Sequence, residues 1–397
     1  MNKLLSFLYK NAKNALIHNK IIVILFFVWL YRVDFIPADG GGIAKALQVV
    51  CIFGLLLIVY RKNHNIIGNT YLRSNGPVKS IIILYTYALI STLWAFIPTF
   101  AFFLSFQMIV LCLLLFWVFS QIHDFKTMEK VFITICYSII LFEAIFHRVL
   151  FVPSLFIHEL TSASSAAMLF SYCLAEYLNM KIHDSERSSY LKFTMLFSVC
   201  ILITSTSSGA NASAILGMII SLFFSGNIIY AFGLIIIALF LYFNQDLITK
   251  LLFFIMPGKD MTAIESATGR TELWETMMDL ADQKPLFGWG FACIERAATA
   301  FGDKASPDAH NNYIGIYGSL GYVGIILLIY HYCTNVIYLL KRRSRIGCLG
   351  LLAAASCSML NGYSYGFLSG KACSITVIYF MIVVLSFYYT RVKYYGR

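Results

Sequence analysis

Residues 100–120 read FAFFLSFQMIVLCLLLFWVFS, an unbroken apolar run without a single charged side chain. As a helix, such a run is about 31 Å long, the thickness of a bilayer's hydrocarbon core. Runs of the same character recur on both sides of it. The sequence predicts membrane helices near 21–37, 44–60, 80–97, 100–120, 131–151, 162–180, 193–207, 211–225, 227–244, 313–340, 346–362 and 373–390, twelve in all. Composition agrees. Of 397 residues, 59% are hydrophobic and 12% charged, against about a quarter charged in soluble domains. The mean hydropathy is +0.76. Such a chain has too little polar surface to cover itself in water, which excludes an ordinary soluble domain. The apolar runs are continuous rather than alternating, which argues against a β-barrel. The expected fold class is an all-α polytopic membrane protein, 1–397 forming a single integral membrane domain.

The net charge of +11 is read through topology, and nucleic acid is not an expected partner. With the N-terminus inside, twenty of the thirty basic residues fall on the inner side, among them Lys3, Lys10, Arg61, Lys126, Lys181, Arg187, Arg342, Arg343 and Arg391. The short outer loops hold Lys45 and Lys371. That asymmetry predicts both termini in the cytoplasm. The first twenty residues carry four lysines and no small-residue cleavage site before the first apolar run, so a removable signal peptide is not expected. The ten cysteines lie almost entirely in apolar runs, without CxxC or Cys/His zinc spacing. They are read as small core residues rather than a disulfide framework or metal site.

One sizeable hydrophilic stretch breaks the pattern, an outside segment over 245–312 that precedes the last three helices. It holds ten acidic and six basic residues. From Gly269 it reads GRTELWETMMDLADQKPLFGWGF. Trp274, Met277, Met278 and Ala281 recur at helical spacing, predicting an amphipathic helix that lies along the outer membrane surface and is closed by Pro285. Arg270 opens that helix, where free N–H groups favour an anion and a guanidinium suits a phosphate. The bland alternative is an arginine reaching lipid headgroups. Pro285–Phe291 carries Gly288 and Gly290 and reads as a tight or re-entrant bend that shapes a site. His310 and Asn311 follow, just before a helix with Gly315, Gly318, Gly321 and Gly324. Glycine at every third position predicts a smooth face for a neighbouring helix. A histidine at that junction can act as a general base, or it can be structural. The outside segment has no Asp-x-Asp pair and no compact ligand set, so neither a metal nor a cofactor is expected.

Taken together, Gly269-Arg270 with Leu273-Trp274, then PLFGWGF, then His310-Asn311, nine residues and Gly321-x-x-Gly324 resemble the C-terminal half of the O-antigen ligase/polymerase superfamily. The resembling region spans 193–340 and includes 245–312. The resemblance implies a metal-independent, inverting membrane glycosyltransferase of the bacterial inner membrane, with its site facing the periplasm. Its donor is a glycan on polyprenyl (undecaprenyl) diphosphate, and its acceptor a glycan or lipid A-core. By that likeness Arg270 holds the diphosphate and His310 activates the acceptor hydroxyl, while Asn311, Gly288, Gly290, Gly321 and Gly324 shape the site.

One departure stands out. Ligases typically carry an arginine where this chain reads Thr204-Ser-Thr-Ser-Ser-Gly-Ala-Asn211. Arg148, ending a span on the outer side, is the candidate substitute, with headgroup snorkelling as its alternative. His158 and Glu159 are further candidates for acceptor contacts. The missing arginine tilts the reading toward polymerisation of repeat units over ligation to lipid A-core. A transporter or flippase also fits twelve spans, but such proteins often show internal repeats and broken midplane helices, and the sequence displays neither. An inactive scaffold is the third alternative.

Overall fold

Backbone amides surrounded by apolar side chains must bond to one another, and this chain meets that demand with helices. The computed structural model describes residues 25–26, 29–30, 41–62, 74, 76–148, 159–180, 184–205, 207–244, 270–301, 309–370 and 372–391. Among these residues the regular structure is entirely helical. In chain order the helices are α1 (Gly41–Lys62), α2 (Gly76–Ile90), α3 (Pro98–Ser120), α4 (Phe125–Arg148), α5 (Glu159–Leu178), α6 (Ser185–Thr204) and α7 (Ser208–Phe224). They continue with α8 (Ile228–Phe243), α9 (Arg270–Ala281), α10 (Ile294–Phe301), α11 (Asn312–Leu340), α12 (Cys348–Asn361) and α13 (Ser374–Tyr388). A short 3-10 turn, Ser91–Leu93, follows α2.

A helix lies at every expected span from residue 44 onward. The first span, 21–37, falls almost wholly outside the described residues, with Arg32 and Asp34. Among the described residues, three segments are long and apolar enough, by length and composition, to cross a membrane: Gly76–Leu93, α3 and α11. Most of α1, together with α7, α12, α13 and most of α8, forms shorter apolar helices.

Local chemistry sets the boundaries. Pro98 opens α3, where its missing N–H costs nothing. Asp184 caps α6 by accepting from the Arg187 N–H at 3.1 Å, and Ser207 caps α7 by accepting from the Ala210 N–H at 3.3 Å. Helices α6 and α7 are thereby separated at the expected tight turn. The start of α12 is capped from another helix. Both carboxylate oxygens of Glu176, on α5, accept N–H bonds from Gly347 at 2.9 Å and Gly350 at 2.8 Å.

Helix α5 lies at the centre, packed against α4, α6, α7, α12 and α13. Contacts sort the helix ends into two groups. One gathers the start of α4, the end of α5, the start of α6 and the start of α12 around Glu176. There the Arg187 guanidinium donates to both Glu129 oxygens at 2.8 and 2.6 Å and to Glu176 at 2.8 Å. Tyr172 adds a bond to Glu129 at 2.8 Å, and Tyr190 another. The basic residues Lys126, Lys130, Arg342, Arg343, Arg345 and Arg391 cluster at this end. The other end gathers the starts of α5, α7 and α11 with the turn that follows α12.

Of the cysteines, Cys51, Cys112, Cys136, Cys173, Cys293, Cys348 and Cys357 are buried and all ten are free thiols. Cys200 and Cys333 depart from the expected core role and are exposed. Both point outward from long apolar helices, where a small thiol suits lipid as well as it suits a core.

Candidate active site

Helix α11 sets the geometry, and it is not the straight span expected over 313–340. Gly321 has φ 65° and ψ −161°, far from helical values. The Tyr313 and Tyr332 rings nevertheless lie 6.3 Å apart, although a straight helix would separate those residues by about 28 Å. A Cβ on Gly324 would fall 3.3 Å from the carbonyl oxygen of Ile316. The chain therefore doubles back at Gly321. A short arm, 312–320, runs beside a long arm, 322–340.

Such a break strands backbone groups, and the PLFGWGF loop takes them up. The N–H groups of Trp289 and Gly290 donate to the carbonyls of Gly318 and Ser319 at 3.0 and 2.8 Å. In return, Tyr322 and Val323 donate to the carbonyls of Pro285 and Leu286 at 2.8 and 3.4 Å. This exchange needs two backbones in contact. A Cβ on Gly288 (φ 68°) would sit 2.4 Å from the Ser319 carbonyl carbon, and one on Gly321 would sit 2.3 Å from the Leu286 oxygen. Positive φ and missing side chains are both required here. The loop is pinned in turn to the 91–97 segment. Phe96 N–H donates to the Trp289 carbonyl at 2.8 Å, Trp94 Nε1 to that of Phe287 at 3.0 Å, and Phe291 N–H to Ser91 Oγ at 3.0 Å. Gly290 (φ 94°) makes room for Ala95.

The expected smooth glycine face for another helix is thus replaced by a different use. Gly315 clears space for Ser369, Gly318 for Ile294, and Gly324 for the opposite arm of α11 itself.

His310 stands at the foot of the short arm, about 13 Å along it from the turn. Its φ of 50° is left-handed, a conformation uncommon outside glycine and one that tends to mark functional sites. The next two residues hold it there. Asn311 caps the short arm, its Oδ1 accepting from the N–H groups of Tyr313 at 2.8 Å and Ile314 at 3.1 Å. Asn312 donates its N–H to the Gly362 carbonyl at 2.7 Å and accepts the Leu368 N–H on Oδ1 at 2.7 Å. The turn after α12 is thereby fastened to the residue that fixes His310.

Around this point several polar groups converge. Ser164 at the start of α5 donates to Asn361 Oδ1 at 3.1 Å. Gly209, in the first turn of α7, packs so tightly on Ser364 that a Cβ would meet its Oγ at 2.2 Å. The stretch lacking the expected arginine therefore abuts the site. Tyr365 is a ring neighbour of His310, with centroids 6.4 Å apart.

Helix α9 reaches the same place. Its buried face is Leu273, Met277, Leu280 and Ala281, whereas Met278 is exposed and Trp274 half-buried. Rather than ending at Pro285, it ends at Ala281 and packs against α10 and α11. The shifted face has a cause: Trp274 Nε1 donates to the Ala309 carbonyl at 2.9 Å, which turns the indole toward His310. Arg270, one turn earlier, starts the helix. The backbone of Arg270 is thus brought to the His310 end, and its side chain lies outside the described residues. Arg148 closes α4 and Glu159 opens α5. Their side chains, and the whole of His158, also lie outside the described residues. Among the described residues no three His, Cys, Asp or Glu side chains gather as metal ligands would.

Residues 193–329 match the family model described as O-antigen ligase. This region, about a third of the chain, is similar to the O-antigen ligase family. The match runs from α6 through α9, the PLFGWGF loop and His310 into the long arm of α11, the elements that build the site. It supports a membrane glycan-transfer function. No match to a curated protein is found.

Sequence reasoning named Arg270, His310, Asn311 and the four glycines. It missed the 91–97 segment, which anchors the loop, and the 361–369 turn, which anchors His310. Neither contains a charged residue or a spacing that marks it in advance.

Proposed function

We propose that the chain transfers a saccharide from polyprenyl diphosphate, undecaprenyl diphosphate in bacteria, to a hydroxyl of a second glycan at the periplasmic face of the inner membrane. The observation that carries this reading is the family match over 193–329, which encloses both Arg270 and His310. Contact between Trp274, one turn beyond Arg270, and Ala309, beside His310, supports their acting on one substrate pair.

In this reading the His310 imidazole takes the proton of the acceptor hydroxyl as its oxygen attacks the anomeric carbon. The bond to the diphosphate breaks, and the lipid diphosphate leaves as an anion. Arg270 balances that charge, with Arg148 as the candidate second cation, and no metal or cofactor is invoked. A single displacement inverts the anomeric centre. On the expected topology, with twelve crossings and both termini in the cytoplasm, the basic Glu176 end lies inside and the His310 end outside. The first substrate is thus a membrane lipid, and nucleic acid plays no part.

Polymerisation of repeat units is the preferred outcome, because Thr204–Asn211 carries no arginine. Ligation to lipid A-core is the second reading, favoured by the matched family's own description. Purified protein in proteoliposomes, given undecaprenyl-diphosphate repeat units and lipid A-core together, separates them. A ladder of longer lipid-linked chains means polymerase, and glycan on lipid A-core means ligase. Activity should persist in excess chelator. Loss with EDTA and recovery with magnesium would overturn the metal-free mechanism.

A further inference from the structure

Three aromatic side chains from two separate elements gather near His310, and the catalytic reading gives them no task. Trp274, on α9, meets Tyr363, in the turn after α12, edge to face with centroids 5.4 Å apart. Tyr365, two residues on, neighbours the His310 ring at 6.4 Å. Burial does not explain the group, because Tyr363 is 57% exposed and Trp274 and Tyr365 are half-buried.

Their positions are nonetheless fixed. The Trp274 indole is tied to the Ala309 carbonyl at 2.9 Å. The tyrosine turn is closed by N–H bonds from Tyr363 to the Leu360 carbonyl at 3.1 Å and from Tyr365 to that of Asn361 at 3.0 Å. Asn312 grips the same turn on both sides, through Gly362 and Leu368. One asparagine thus sets the distance between the histidine and the tyrosines. Rings held in place by their backbone while left partly exposed suit recognition of a ligand with an apolar face.

We propose that Trp274, Tyr363 and Tyr365 form the binding wall for the acceptor sugar, an inference that rests on the glycan-transfer reading of His310. A pyranose ring has polar edges and a face of C–H bonds. That face packs on an aromatic ring, whose negative π-surface attracts the slightly positive hydrogens. A hydroxyl on the edge of a sugar seated against Tyr365 points to the neighbouring imidazole. The acceptor is assigned rather than the donor because Tyr365 neighbours the His310 ring and Trp274 bonds the residue before it, while the donor's diphosphate belongs to the Arg270 end of α9. The wall recognises a pyranose as a class, and its tyrosines lie beyond the matched region.

The test is steady-state transfer with purified protein in proteoliposomes. Donor and acceptor are varied independently, and the acceptor is the oligosaccharide released by mild acid from the surface glycan of the source cells. Tyr363→Ala and Tyr365→Ala should each raise the acceptor KM at least tenfold, with donor KM unchanged and kcat within about threefold. Tyr363→Phe and Tyr365→Phe should stay near wild type, because the ring face is retained. A tyrosine serving only as a membrane-interface anchor would leave the KM ratio untouched, and that result overturns the wall. So does a change in donor KM instead of acceptor KM.

Binding of the same oligosaccharide to the His310→Ala protein, followed by calorimetry, keeps the question open to refutation without turnover. Saturable binding that weakens tenfold in the Tyr363→Ala background supports the wall. Absent binding, or equal binding in both proteins, refutes it. Failure of the glycan-transfer reading itself has a different signature, namely no wild-type transfer from any polyprenyl diphosphate donor.

Discussion

The two ends of the bundle solve the problem of polar groups in an apolar chain in opposite ways. At the Glu176 end, charge is buried and bonded from all sides. Arg187 and Glu129 are 3% and 0% exposed, and the pair shares two hydrogen bonds. Glu176 then joins the pair to the start of α12. At the His310 end no such lock exists among the described residues. A helix is broken, a histidine is held at positive φ, and the Tyr363 ring stays exposed. Side-chain charge fastens one end, whereas backbone bonds and glycine clearances shape the other. Under the proposed function, the charge-locked end carries no chemistry, and the opposite end holds the groups that a substrate completes.

That contrast can be broken by substitution. The largest stability effect should come from Arg187→Ala, which leaves two carboxylates facing each other in a buried site. Breaking such a pair costs about 3–5 kcal/mol. Thermal unfolding in detergent should therefore shift strongly downward, while transfer per folded molecule stays near wild type. Unchanged unfolding would mean that the ion cluster is not the lock described.

Gly321→Ala should cost less in stability, on the order of 1–3 kcal/mol for a strained positive-φ residue, with more where the Leu286 carbonyl cannot yield. Its signature is loss of transfer at temperatures where the protein remains folded, since the break positions His310. Full activity in a folded variant would show that the fold-back is dispensable.

The smallest effect belongs to Asp184, the cap of α6. Lys126 at 2.7 Å and the Arg187 N–H hold its carboxyl below the usual range. A depressed pKa means the contribution is present above the unfolded value near 3.9 and is lost as pH falls through the folded one. Asp184→Ala should cost about 1 kcal/mol at pH 7, and this difference should shrink in unfolding curves recorded below pH 4. A constant difference across that range would rule out the charge as its source.

Much of this was legible in the sequence, and the reasons differ by element. Span positions were readable because an uncharged run such as 100–120 has one stable environment. Arg270 and His310 stood out as ionisable residues in a family-like spacing. The fold-back of α11 went unread, although its length carried a warning. A straight helix over 313–340 would extend about 42 Å, well beyond a hydrocarbon core of about 30 Å. Gly315, Gly318, Gly321 and Gly324 looked alike in sequence, and only backbone geometry separates the hinge from the clearances. Arg187 was counted with the loop cations because its position near a span end fits that role. Its partners Glu129 and Glu176 lie 58 and 11 residues away, and no local pattern links the three.

The claim on which the rest depends is that the loosely locked end performs the transfer through His310. Single-turnover transfer from an undecaprenyl-diphosphate saccharide, measured beside donor binding for wild type and His310→Ala, tests it most directly. The account predicts donor affinity within about threefold of wild type and a transfer rate lower by about a hundred- to ten-thousand-fold, the usual cost of losing a general base. Transfer at the wild-type rate by a folded His310→Ala protein would contradict it.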